Sequence, residues 1–126
     1  MWIWGPALDD KTLEWIVRHT TDAAVEWVLC ETQLTDAMLA HFSGDKVIRT
    51  LMIDWTRVTA GGLPYLKSCP NLKTLFLTGT AIKWDDLERS GLLKQLSIVQ
   101  IDTEQMAGRS LDDLKKSHPH LTIHVE

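Results

Sequence analysis

Four consecutive stretches of this chain carry the same apolar pattern at a spacing of 24 residues, aligned without a gap. The frames open at Ala24, Ile48, Leu72 and Leu96, and Trp27, Leu51, Leu75 and Val99 follow three residues on. Leu29, Ile53, Leu77 and Ile101 form the next column, then Leu34, Val58, Ile82 and Met106. Leu39, Leu63, Leu87 and Leu111 continue it, and Phe42, Leu66, Ser90 and Leu114 close it. Of these 24 positions only Ser90 is not apolar, whereas an apolar content of 44% places about 10 or 11 there by chance. A repeat of this length cannot bury its apolar residues alone. It therefore restricts the chain to stacked units that share one continuous core.

Within a frame, the alternation at Leu75 and Leu77 predicts a short strand with one face turned inward. The segment Thr35 to Phe42, with Asp36 near its start and apolar residues at Ala37, Met38, Leu39 and Phe42, predicts a short returning helix. Thr59-Ala-Gly-Gly followed by Pro64 makes the second frame the weakest helix former. Leu8 to Ile16 aligns with Leu34 to Phe42, so Met1 to Trp4 reads as a truncated opening strand. Leu121-Thr-Ile123-His-Val125 alternates as a closing strand does. The expected organisation is one domain over 1–126: a cap at 1–23, repeats at 24–47, 48–71, 72–95 and 96–119, and a final strand at 120–126.

The third frame reads Leu72-x-x-Leu75-x-Leu77-x-x-Thr80-x-Ile82. This pattern, extended over nearly the whole chain, resembles the leucine-rich-repeat family, and in particular small bacterial forms with Thr at a turn position that many relatives fill with Asn. The resemblance implies an α/β solenoid, with a short parallel sheet on the concave face, short helices on the convex face, and protein binding across the sheet. Thr32, Thr56 and Thr80 hold the turn position, where a hydroxyl can bond nearby backbone. Glu104 breaks that column, and Ser90 breaks a helix column.

Strand residues that face away from the core test how the sheet is used. Their middle column reads Val28, Met52, Phe76 and Gln100, with Trp2 added when the cap is aligned by Leu8. Trp4 aligns beside Cys30 and Asp54, and Trp55 begins the turn after its strand. Contiguous exposed apolar and aromatic residues mark interaction surfaces. The competing reading folds Trp2 and Trp4 over the first repeat as capping core and leaves Met52 and Phe76 as cover for the sheet. Glu26, Glu31, Asp54 and Asp102 surround the ridge, with Arg49 and Lys73 toward one edge, which favours a basic partner. The same acids also suit a solvated rim.

Other features point away from catalysis and nucleic acid. The net charge is -4 with no basic stripe, so phosphate neutralisation is not expected. No apolar run approaches the roughly 20 residues of a membrane span. The N-terminal segment also lacks signal-peptide character, and a soluble cytoplasmic protein is expected. Cys30 and Cys69 lack metal-ligand spacing and are expected to be reduced thiols. His118, His120 and His124 cluster in sequence, but Pro119 and the strand alternation do not give a familiar zinc motif. The pairs Asp9-Asp10, Asp85-Asp86 and Asp112-Asp113 fall near helix starts, and Gly61-Gly62 lacks a phosphate-loop context. No cofactor or metal site is expected.

The expected function is therefore protein binding, with Trp2, Trp4, Glu26, Val28, Met52, Asp54, Trp55, Phe76, Gln100 and Asp102 as partner-contacting residues. One concrete form is a stoichiometric inhibitor, such as an immunity protein that occludes a basic bacterial toxin. The alternative is an assembly adaptor, docked in a larger complex or in a homodimer.

Overall fold

The computed structural model describes residues 2–3, 8–19 and 25–126. Its five strands pair in parallel and in chain order: β1 (Glu26–Val28), β2 (Thr50–Met52), β3 (Thr74–Phe76), β4 (Ile98–Ile101) and β5 (Thr122–Val125). Register keeps the 24-residue spacing across every pair: Trp27 lies opposite Leu51, Leu51 opposite Leu75, Leu75 opposite Val99, and Val99 opposite Ile123. Trp2 adds a parallel bridge to Val28, and the Ile3 amide donates to the Val28 carbonyl at 2.9 Å.

Parallel neighbours require a crossover between strands, and short helices supply it here. They are α1 (Asp10–His19) before the sheet, then α2 (Asp36–Leu39), α3 (Leu63–Lys67), α4 (Trp84–Ser90) and α5 (Leu111–Ser117). A 3-10 turn at Ala40–Phe42 prolongs α2, as the pattern from Thr35 to Phe42 predicts. In the weak second frame a 3-10 turn at Ala60–Gly62 leads into α3, with Pro64 in its first turn, where a missing amide donor is harmless. Gly62 lets this helix approach its neighbour closely. A Cβ there would lie 2.7 Å from Leu39 Cδ1 and 2.9 Å from Asp36 Oδ1.

One apolar cluster runs from Leu8 to Ile123 between the helices and one face of the sheet. Every described position of the six periodic columns is buried except Ser90 and Leu111. Ser90 is accommodated locally: its hydroxyl donates to the Leu87 carbonyl at 2.7 Å and accepts from the Leu92 amide at 3.1 Å. Cys69 is buried, with Sγ 3.1 Å from the Phe42 carbonyl, and both cysteines are free thiols. Among the described residues no helix is long and apolar enough to cross a membrane.

The turns after the strands are built by threonine. Thr32, Thr56 and Thr80 are buried, and each hydroxyl donates to the carbonyl three residues earlier at 2.8 Å. This pairs polar groups that the core would otherwise leave unsatisfied. Where Glu104 breaks the column, the chain forms a 3-10 turn at Glu104–Met106 and sends Gln105 inward. The buried Gln105 amide nitrogen donates to the Leu77 and Ile82 carbonyls, both at 2.9 Å, and lies 3.1 Å from Thr80 Oγ1. The fourth turn thereby fastens the third one.

Candidate functional site: the exposed sheet face and its turn edge

The sheet face opposite the core carries three outward columns. Glu26, Thr50, Thr74, Ile98 and Thr122 form the first, and Val28, Met52, Phe76, Gln100 and His124 the second. Cys30, Asp54, Thr78, Asp102 and Glu126 follow two residues beyond the second column. The register thus brings Met52, Phe76 and Gln100 side by side, with Trp2 beside Val28 at the opposite end from His124. Met52, Phe76 and Gln100 are half-buried, and the Gln100 amide lies 3.3 Å from Thr78 Oγ1.

One residue of this face departs from the expected exposure. Val28 was expected to be exposed in the apolar column and is only 6% exposed. It sits between the Trp2 bridge and β2, so both flanks of its short strand are occupied, yet it lies outside the core cluster. Trp2, expected on the outward face with capping core as the competing reading, is 62% exposed. Glu26 is half-buried on β1, and Trp4 lies outside the described residues.

Asp54 and Asp102 are parts of the turn architecture, not freely solvated rim charges. Asp54 accepts from the Thr78 amide at 2.7 Å and lies 3.5 Å from Cys30 Sγ. Burial pushes its carboxyl up from the ordinary aspartate value. Burial first, and then the charge of Asp54, push the Cys30 thiol up to about 11, so this sulfur is a poor nucleophile at neutral pH. Asp102 accepts from the Gly79 amide at 3.0 Å and the Gln105 amide at 2.9 Å, while its own amide donates to Gln105 Oε1 at 2.8 Å.

The same edge holds Trp55 in an unusual backbone state. Glu31, Trp55 and Gly79 occupy equivalent turn positions and all have positive φ, 59°, 59° and 76° respectively. Glycine takes this conformation freely, while a bulky side chain takes it at a cost. The Trp55 amide donates to the Thr78 carbonyl at 2.8 Å, which ties the strained turn to the next one. Its indole lies across Gly79, where a Cβ would come within 2.2 Å of the ring, yet Trp55 remains 59% exposed. Trp55, Gly79, Lys83, Asp102, Glu104 and Gln105 are among the residues that line a cleft here. Gly79, Lys83, Glu104 and Gln105 were absent from the expected site. The glycine one period after Trp55 was the available signal for the first of them.

Of the three histidines that cluster in sequence, His118 and His120 meet edge-on at a ring-centroid distance of 6.2 Å, and His124 lies apart on β5. His118 meets the buried Trp84 ring edge-on at a centroid distance of 5.5 Å. His120 Nε2 lies 3.0 Å from the Leu93 carbonyl, and His124 is on β5, paired with Gln100. Elsewhere Asp10, Glu14 and His41 bring possible ligand atoms within 4.8 Å of one another. Asp10 lies 2.8 Å from His41 Nε2, a contact that ties α1 to the 3-10 turn after α2, and Glu14 pairs with Arg18 at 2.8 Å within α1. Asp9 and Asp86 cap their helices, accepting from the Thr12 and Lys83 amides at 2.7 and 3.0 Å.

No protein-family model matches the chain, and no curated protein sequence matches it significantly.

Proposed function

We propose that this chain is a leucine-rich-repeat solenoid whose sheet face, together with the turn edge at Trp55, binds another protein. The observation that carries the reading is the exposure of Trp2, beside β1, and Trp55, in the turn after β2, at the margins of a face that also carries half-buried Met52 and Phe76. Water contact with two indoles is unfavourable for the free protein, and removing apolar area from water contributes about 25 cal/mol per Å2 on binding. Aromatic side chains of this kind are the usual anchors of protein interfaces.

The turn geometry is compatible with the same reading. Positive φ recurs at Glu31 and Gly79 in the equivalent turns, and at Trp55 the same turn carries an indole that lies across Gly79 and stays exposed. The carboxylates of Asp54, Asp102, Glu104 and Glu126 lie along one side of the face and favour a partner with basic groups. A stoichiometric inhibitor of a basic protein, such as a toxin, is one form of this function and needs only shape and charge. Permanent docking in an assembly is the other form.

Affinity capture from host lysate with the intact chain and a Trp55→Ala/Phe76→Ala variant of unchanged circular dichroism tests the proposal. A partner held by the intact chain and lost from the folded variant is the expected result, and its identity separates inhibitor from adaptor. Equal capture by both proteins removes this face from consideration.

A further inference from the structure

We propose that the cleft between Trp55 and the turn at Asp102 to Gln105 is a receptor for a single arginine side chain of the partner. The inference rests on the protein-binding reading and names the chemistry of one contact within it.

Three features of the cleft converge on a planar cation. The Trp55 indole lines the cleft, is 59% exposed, and lies across Gly79, whose missing side chain makes room for it. An indole face attracts cations through its quadrupole, and guanidinium stacks on it better than ammonium does. Asp102 supplies a carboxylate already oriented by the Gly79 and Gln105 amides. Two amide donors leave a carboxylate with lone pairs to spare, so Asp102 can accept further N–H bonds without rearrangement. Glu104 adds a second, exposed carboxylate on the same rim.

The cleft has a volume of about 340 Å3 and is open to solvent, in keeping with a long side chain inserted from outside. Lys83 is the cation among its lining residues, against the two carboxylates of Asp102 and Glu104. It decides the sign of the preferred ligand: with a guanidinium as ligand, Lys83 repels and its removal strengthens binding. With a carboxylate as ligand, its removal weakens binding.

The test is titration of the intact protein with N-acetylarginine methylamide, its lysine counterpart and its uncharged citrulline analogue, followed by the Gly79 amide and Trp55 indole resonances in NMR spectra. Saturable shifts with the arginine compound, stronger than with lysine and absent with citrulline, are expected. Trp55→Ala is expected to weaken binding by about two- to fivefold, the usual range for an exposed cation–π contact. Lys83→Ala is expected to strengthen it, and Asp102→Asn, which retains an oxygen acceptor, to weaken it. Citrulline binding as well as arginine, weaker binding in Lys83→Ala, or no saturable shift would overturn the proposal. Loss of this contact alone, with capture still dependent on Trp55 and Phe76, would leave the protein-binding reading in place and remove only the arginine site.

Discussion

At the scale of single residues, Gln105 and Cys30 show how polar groups are managed next to the proposed surface. Gln105 is buried and donates to carbonyls of the preceding turn, so Gln105→Ala takes that donor from the Ile82 carbonyl, while the Leu77 carbonyl keeps the Thr80 amide and hydroxyl. A loss of about 1–3 kcal/mol in unfolding free energy is expected from denaturant titration, and an unchanged midpoint would show that water replaces the amide without penalty. Cys30 sits beside Asp54 with its thiol pushed up to about 11, chiefly by burial. Because the folded value lies above the ordinary value of 9.0, the stabilising contribution of the neutral thiol is complete below about pH 9 and fades between about 9 and 11. Alkylation of Cys30 in the folded protein is therefore expected to be slow at pH 8 and to accelerate toward pH 11. Asp54→Asn should quicken it, although burial remains as the larger cause. A rate already saturated at pH 8 would contradict this environment for the sulfur.

Among the elements, the inward strand and helix positions were legible because the same columns recur in four frames, and apolar identity alone decides which face is buried. Positions set by tertiary bonds were not legible. Glu104 signalled a break at the last turn, but the replacement depends on Gln105 reaching carbonyls 23 and 28 residues earlier, which no local pattern encodes. Val28 followed its column onto the outward face, while its burial depends on the neighbouring Trp2 segment. Gly61-Gly62 was legible as a turn or close packing point, and the structure places Gly62, in the 3-10 turn that leads into α3, close against Leu39 and Asp36 of α2. Gly62→Val should thus overfill that contact and cost about 1–3 kcal/mol by thermal or chemical unfolding. Gly61→Val, at an exposed position whose nearest Cβ neighbour is Asp36 Oδ2 at 3.0 Å, is expected to cost less. The reverse order would refute close helix approach as the reason for Gly62.

At the scale of the whole molecule, one core connects all five strands, so local damage in the centre should spread. Leu75→Ala removes a fully buried side chain from β3 and is expected to cost about 2–5 kcal/mol. Amide protection should fall together in β2, β3 and β4, whereas a loss confined to β3 would show that neighbouring units unfold independently. The proposed function divides the same molecule into two sides, an interaction face at the sheet and a supporting helical side. Three tryptophans report on this division in a single experiment. Trp2 and Trp55 are exposed at the margins of the proposed surface, and Trp15 is equally exposed on α1, which packs on the helical side. Hydroxyl-radical footprinting of the captured complex is the most direct test: oxidation of Trp2, Trp55 and Met52 should fall on binding while that of Trp15 stays as it is in the free protein. Protection of Trp15 with Trp2 and Trp55 still fully oxidised would place the partner on the helices and contradict the account.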